Sequence, residues 1–356
     1  MEELTSKLLY CTGMINLIRW FSNAGYDDYR KRVITRSAFV YLDSFFIFAP
    51  QIKNSLEKRD INVKTIHEKI GKIRDEYEAF HSKIRDKLTA HRQDLPIIET
   101  FEVWNEIDLT TLDYFITEVS DIYNLLHALK REEVPEYSDF PITKLNVAPA
   151  SQPIAEAPNI SSDNLALTRE NTVSFIPCNA FQRRGSQINS IIDTVYYLGT
   201  LFPEKKYGND IERLIKSMII VDVINMLDNL YPFTPPNPAH KIDSFLEILE
   251  NDIPVAHKVL KNFSDKRDLE LEDKIRQVRN KICAHVDTDE SLESILATLD
   301  EISIDDLNKI FMPAVNAFYS SCSSDFRTRM LLMNKMNLGP DVIGVEDTGF
   351  IKDFDK

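Results

Sequence analysis

The sequence predicts an all-α protein made of two tandem helical domains, and three observations support this prediction. Only 9 of the 356 residues are glycine, which disfavours turn-rich β architectures and glycine-dependent phosphate loops. Apolar residues recur at three- and four-residue steps over most of the chain, the spacing of amphipathic helices. A short polar motif occurs once in each half of the chain, which indicates a duplicated domain.

The first third of the chain predicts a set of four helices. Helical patterning covers approximately residues 4–21, 29–49, 63–90 and 112–129. In the last of these segments the apolar residues from Leu112 to Leu129 form one stripe, which needs a partner helix. We therefore expect residues 1–130 to form the first helical domain.

The amino-acid composition of the sequence changes after this domain. Residues 131–178 hold six of the 16 prolines among Ser, Asn and Ala and contain no glycine, which predicts an extended linker. Helical patterning returns over residues 179–335, the predicted second domain. Residues 336–356 read as an acidic tail.

Composition and charge indicate a soluble, cytoplasmic protein. Hydrophobic residues make up 43% and charged residues 28%, as in ordinary globular proteins. The longest strongly apolar run, residues 39–50, includes Asp43 and is shorter than the roughly 20 residues of a bilayer span. The N-terminus lacks the basic region and the cleavage-site pattern of a secretory signal. We therefore expect no membrane association.

The net charge of −14 disfavours indiscriminate binding to nucleic acid. The excess is uneven, because residues 99–175 carry 14 acidic and only 4 basic side chains. By contrast, residues 274–285 carry four basic and no acidic side chains, and residues 83–92 carry four basic residues against one acid. These two basic islands predict local sites that would suit a phosphodiester.

The duplication is clearest in a seven-residue motif. Residues 85–91 (RDKLTAH) match residues 279–285 (RNKICAH), with Arg, Lys, Ala and His identical. Downstream, residues 105–112 match residues 300–307 at nearly the same distance from the histidine. Asp108 and Ser303 occupy equivalent positions, where each is predicted to cap a final helix. We expect the two copies to pack as an internal pseudo-dimer.

A weaker match lies upstream, in two long apolar helices. Arg36-Ser37 and Lys216-Ser217 occupy comparable places in them. Asp43 and Asp222 also fall inside these helices, where a buried carboxylate would need a partner. The motif arginines are candidates for that role.

The motif combines residue types suited to RNA cleavage through the 2′-hydroxyl. Histidine titrates near neutrality and can move protons, and arginine offers a planar fork of donors to a phosphate. On an uninterrupted α-helix, residues six apart point about 120° from each other and lie about 9 Å apart along the axis. One motif therefore makes no tight pair, and a second copy facing it would complete a composite site.

The roles follow from these residue types. We expect the histidines to transfer protons, the arginines to stabilise charge at phosphorus, the polar residue after each arginine to orient it, and the motif lysines to make that face cationic. The candidate catalytic residues are Arg85, His91, Arg279 and His285, and the supporting residues are Asp86, Asn280, Lys87 and Lys281.

The pattern of an arginine, a polar residue and a histidine on one helix resembles the HEPN superfamily. The motifs at residues 85–91 and 279–285 look most like those of HEPN domains from bacterial abortive-infection and toxin–antitoxin systems. The resemblance implies a metal-independent endoribonuclease acting on RNA in antiphage defence or as a toxin, with the two motifs meeting at a dimer interface. It also implies an inhibitory antitoxin protein and a second copy of the chain as candidate partners.

Two alternatives remain open from the sequence. The same fold can serve as a non-catalytic scaffold for a protein partner or a nucleotide. The motif arginines can also be solvated surface residues, with the histidines interacting with carbonyls at the helix end. The sequence shows no paired metal-ligand spacing, no Walker motif and no nucleophile elbow, so we expect neither a metal nor a cofactor.

Overall fold

The computed structural model describes residues 2–22, 28–80, 84, 103, 106–129, 180–201, 209–233, 243–284 and 286–321. Over these residues the secondary structure is helical, without a β-strand, which confirms the predicted all-α class. The helices are α1 (Glu2–Ser22), α2 (Asp28–Thr35), α3 (Ala38–Glu57), α4 (Lys64–Phe80), α5 (Leu109–Leu129), α6 (Ala180–Leu201), α7 (Asn209–Leu230), α8 (Phe245–Asp252), α9 (Pro254–Ser264), α10 (Leu269–Val278), α11 (Leu292–Asp300) and α12 (Ile304–Ser321).

The chain divides into two compact units. Unit 1 comprises Met1–Pro149, Asp193–Asn225 and Asp268–Phe311, and unit 2 comprises Ala150–Ile192, Met226–Arg267 and Met312–Lys356. Unit 1 thus takes in segments from both halves of the chain. The tandem arrangement, with domains at 1–130 and 179–335 packed as a pseudo-dimer, stays a prediction, as do the linker at 131–178 and the acidic tail at 336–356.

The core of unit 1 contains the four helices expected in the first third of the chain. α1 packs against α3 and α5, and α4 packs against both α3 and α5. The Tyr77 ring lies between Phe46 and Phe115, with centroids 5.3 and 6.0 Å away, and its hydroxyl donates to the carbonyl of Phe39 at 2.9 Å. α1 is buried on most sides, as expected for a helix at the centre of a core.

The helix predicted over residues 29–49 is divided in two. α2 ends at Thr35, a turn occupies Arg36 and Ser37, and α3 then continues past Pro50 to Glu57. The break places Arg36 at the junction of the two helices, where its side chain is almost fully buried. Hydrophobic periodicity alone does not reveal such a break, because the apolar stripe continues through it.

The capping predicted from the duplication is confirmed at both positions. The Asp108 carboxylate accepts a hydrogen bond from the backbone N–H of Thr111 at 2.6 Å, at the start of α5. The Ser303 hydroxyl accepts from the N–H of Asp306 at 3.1 Å, at the start of α12. Each cap satisfies a donor that the first helical turn leaves without an intrahelical partner.

Unit 2 has an aromatic core of its own. The Phe245 ring lies 5.3 Å from that of Phe181 and 5.4 Å from that of Phe318. α8 begins with a capping box in which Ser244 and Glu247 bond each other's backbone. These contacts fix the described helices of this unit by apolar packing and local caps.

One segment of unit 1, Lys31–Glu57, is long and apolar enough to cross a membrane, with a mean hydropathy of 1.3. The hydropathy value belongs to an 18-residue window of this segment, and 83% of that window is buried inside the protein. A core helix of a soluble protein has this character, so the finding is compatible with solubility. The cytoplasmic location stays a prediction.

Candidate functional site

The second copy of the motif begins where α10 changes into a π-helix. The π segment runs from Arg279 to Cys283, and the N–H of Ala284 donates to the carbonyl of Arg279, five residues back, at 2.8 Å. The expectation of an uninterrupted α-helix is therefore wrong for this copy. A π turn takes an additional residue, so six residues rotate through a smaller angle than on an α-helix. Single π turns within helices occur frequently at functional sites.

Arg279 begins this π segment and is 7% exposed. Its Nη1 donates a hydrogen bond to Oδ1 of Asn280 at 3.0 Å. The contact is the one expected for the polar position after the arginine. Burial and this hydrogen bond restrict the rotamers of the long Arg279 side chain. The planar set of guanidinium donors is therefore held in one orientation.

The basic island around this motif is not a patch of uncompensated charge. Lys281 forms an ion pair with Glu290, and Lys274 lies 3.5 Å from a carboxylate oxygen of Glu301. Both acids lie downstream of the basic run, Glu290 in the loop before α11 and Glu301 directly after α11. The cationic face predicted from local sequence is therefore partly neutralised, because charges distant in sequence meet in space.

Three of the predicted site residues lie in the described part of the chain. Arg279 and Asn280 contact each other, and Lys281 contacts Glu290 instead of either of them. The other five predicted residues lie outside the described residues: Arg85, Asp86, Lys87, His91 and His285. The composite site formed by both motifs therefore stays a prediction.

A buried ion pair, which the sequence reasoning did not assign, lies in the same unit. Nη2 of Arg36 donates to Oδ2 of Asp222 at 2.5 Å, and the two side chains are 2% and 0% exposed. Nε of Arg36 donates to the carbonyl of Val33 at 3.2 Å. The expectation that a carboxylate inside α7 needs a partner is met by Arg36. Asp43, the other such carboxylate, is only partly buried.

A small cavity of about 10 Å³ is lined both by Arg36 of this ion pair and by Cys283 of the π segment. That volume is about the room needed by one water molecule. The cavity lies among residues of α3, α7 and the π segment, and Ser37 and Ser217, which the sequence matched as equivalents, both line it. Its lining is Arg36, Ser37, Val40, Tyr41, Leu214, Ser217, Met218, Val221 and Cys283.

The Cys283 thiol at this cavity is not suited to act as a nucleophile. Burial raises its pKa to about 12, against smaller lowering effects of Ser217 and Arg279. The thiolate is the reactive form of cysteine, and at neutral pH this group stays protonated. Burial likewise raises the pKa of the Tyr41 hydroxyl. Neither of these two groups is therefore suited to proton transfer near neutral pH.

No protein-family model, no curated protein and no solved structure matches this chain. The likeness to HEPN proteins thus stays a prediction from the two motifs.

Proposed function

We propose that this protein is a metal-independent endoribonuclease of HEPN type. The observation that carries the proposal is Arg279, a buried guanidinium oriented by Asn280 in a π turn, six residues before His285. A preorganised cation and a histidine in the same motif are the two kinds of group that RNA cleavage needs. The equivalent residues Arg85 and His91 would form the second half of the site.

The proposed reaction is a transesterification within the RNA. The 2′-oxygen forms a bond to phosphorus while the bond from phosphorus to the 5′-oxygen breaks. One histidine accepts the proton of the 2′-hydroxyl, and the other donates a proton to the leaving 5′-oxygen. The arginines stabilise the negative charge that grows on the phosphoryl oxygens. The products are a 2′,3′-cyclic phosphate and a 5′-hydroxyl.

A non-catalytic helical scaffold is the second candidate. The ion pairs that Lys281 and Lys274 make with Glu290 and Glu301 favour it, because paired lysines attract a polyanion less strongly. A protein partner would be less sensitive to this neutralisation than RNA. The two candidates differ in one measurable property, which is cleavage of RNA without metal.

The test is incubation of the purified protein with total RNA in EDTA. We expect wild type to cleave RNA to fragments that end in 2′,3′-cyclic phosphate, and His91→Ala/His285→Ala to lose this activity. His257→Ala, a change on α9, is the matched histidine control and should cleave like wild type. Arg279→Gln should lower the rate by about a hundredfold or more, since a lost transition-state donor costs about that much. Arg19→Gln, on the half-exposed surface of α1, is the arginine control.

Each result separates the candidates. Cleavage by wild type and by both control variants, with loss of cleavage in the double histidine variant, supports the enzyme, provided that circular dichroism shows all variants folded. Equal cleavage by the double histidine variant contradicts the proposed site. Absence of cleavage by wild type contradicts the enzyme and favours the scaffold. In the toxin form of the proposal, expression of wild type in bacteria arrests growth, and expression of the double histidine variant does not.

A further inference from the structure

The loop that follows the second motif is bound by side chains from the N-terminal helices of unit 1. We call residues 286–292, which end with the first residue of α11, the exit loop. Nζ of Lys7, on α1, donates to the carbonyls of Asp287 at 2.7 Å and Thr288 at 3.1 Å. The N–H of Val286 donates to Oγ of Ser44, on α3, at 2.9 Å. At the other end of the loop, the N–H of Leu292 donates to a carboxylate oxygen of Glu3 at 2.5 Å.

Lys7 is fully buried, at 0% exposure. A buried ammonium is costly unless hydrogen bonds and nearby charge compensate it. Here the compensation comes from the two carbonyls of the exit loop, from the Glu3 carboxylate at 4.0 Å and from the face of Phe48, whose centroid is 5.8 Å away. Removing Lys7 would leave two carbonyls without their donor.

The shape of the exit loop and its placement have separate causes. Oδ1 of Asp287 accepts from the N–H groups of Asp289 at 2.6 Å and Glu290 at 3.2 Å, which folds the loop on itself. These bonds are local and would survive if the loop moved as a whole. The bonds from Lys7 and Ser44 instead attach the loop to helices more than two hundred residues earlier in the chain.

The attachment lies directly beside the motif. On one side of position 285, the N–H of Ala284 bonds the carbonyl of Arg279 at 2.8 Å, which closes the π turn. On the other side, Val286 bonds Ser44, and the N–H of Asp287 bonds the carbonyl of Lys281 at 2.8 Å. Backbone hydrogen bonds therefore hold the chain both before and after that position.

We propose that Lys7 is a positioning residue that fixes the exit loop and, with it, the backbone beside the second motif. Its link to catalysis rests on the proposed ribonuclease function. Lys7 acts through the carbonyls of Asp287 and Thr288, and it does not contact RNA. α1 thereby contributes to the site although its sequence carries no part of the motif.

Two measurements on Lys7→Met in the full-length protein test this proposal. Amide hydrogen exchange should show that the protection of residues 286–292 falls by about tenfold or more, with smaller changes in α4 and α5. On RNA, kcat should fall about ten- to a hundredfold with KM within about twofold, because misplacement affects the chemical step more than binding. Lys7→Arg, which keeps the charge and the donors, should recover most of both. Lys53→Met, a mostly buried lysine paired with Glu57 at 3.4 Å, is the matched control.

Glu3→Ala, which removes the acceptor of the Leu292 N–H, provides a second test if Lys7→Met does not fold. Glu3 is half exposed, so its replacement should preserve the fold and lower protection selectively at Leu292. Unchanged exchange of the exit loop in either folded variant would overturn the proposal, as would an equal loss in Lys53→Met. Failure of wild type to cleave RNA would contradict the proposed function alone. A selective loss of exit-loop protection would still support the positioning role.

Discussion

Two arginine–aspartate pairs in unit 1 have the same chemistry and opposite surroundings. Arg36 bonds Asp222 and Arg19 bonds Asp113, each with a shortest contact of 2.5 Å. Both pairs join helices far apart in sequence. The side chains of the first pair are 2% and 0% exposed, whereas those of the second are 43% and 45% exposed.

The comparison separates the geometry of an ion pair from its energetic role. The exposed pair is bidentate, with a second bond of 3.2 Å from Arg19 to Asp113, yet solvent and salt screen it. The buried pair has lost its hydration, so removal of one charge leaves the other buried. Arg36 of the buried pair also lines the cavity that Cys283 of the motif lines. Burial, more than the quality of the contact, therefore predicts which pair the fold depends on.

The largest effect is expected from breaking the buried pair. Asp222→Ala removes the carboxylate that the buried Arg36 guanidinium bonds and should lower the free energy of unfolding by about 3–5 kcal/mol. Urea denaturation followed by circular dichroism measures this loss. A loss below about 1 kcal/mol would contradict the view that burial decides, since exposed pairs contribute that little.

A double replacement sharpens the same test. Arg36→Met/Asp222→Leu removes both charges and keeps apolar volume, so it should be more stable than Asp222→Ala alone. If the double variant is the less stable of the two, Arg36 stabilises the fold through contacts other than its ion pair with Asp222, because both variants lack that pair. RNA cleavage by the double variant also shows whether the site beside the cavity needs these charges.

An intermediate pair is expected to give an intermediate, pH-dependent effect. Arg213 makes two bonds to Asp300, at 2.6 and 3.0 Å, with side chains 21% and 46% exposed. Chiefly through these hydrogen bonds, Arg213 lowers the pKa of the Asp300 carboxyl. A carboxyl whose pKa is lower in the folded state adds stability above its unfolded pKa of about 3.9, and this stability is lost as the pH falls through the folded pKa.

Asp300→Asn should therefore cost about 0.5–1 kcal/mol at pH 7, a figure kept small because solvent screens the half-exposed carboxylate. The difference from wild type should shrink as the pH is lowered below about 4, where the carboxyl of the unfolded wild-type chain becomes protonated, and should vanish below the lower pKa of the folded state. Urea denaturation at pH 7, 4 and 3 measures this dependence. A constant difference across that range would show that the charge of Asp300 has no part in the effect.

Local features of the fold could be predicted from the sequence, and contacts across the chain could not. Asp108 and Ser303 were predictable caps because a cap depends on residues three positions apart. The partner of Asp222 lies 186 positions away, and periodicity carries no information about such pairing. The break at Arg36 and Ser37 was missed because the apolar stripe runs through it.

The candidate site shows the same division. The bond between Arg279 and Asn280 joins sequence neighbours and was foreseen from the residue types. The π turn was not foreseen. It differs from an α turn by one hydrogen bond, and the hydrophobic pattern of the sequence does not distinguish the two. Lys7 was missed for a third reason: a lysine near the N-terminus reads as exposed, and only the tertiary fold brings carbonyls to it.

The smallest effect is expected at the exposed pair. Arg19→Gln should lower the free energy of unfolding by about 0–1 kcal/mol in 0.1 M salt, and the difference should fall further in 1 M salt as the Debye length shortens. Asp113→Asn should give the same small loss, and the double variant should show a coupling energy below about 1 kcal/mol. Denaturation of wild type, the two single variants and the double variant at both salt concentrations measures the stability differences and the coupling energy. A coupling energy of 3 kcal/mol or more would mean that this surface pair contributes as much stability as is expected of the buried pair. In that case the bidentate geometry of Arg19, and not its exposure, would decide what an arginine–aspartate pair contributes to this fold.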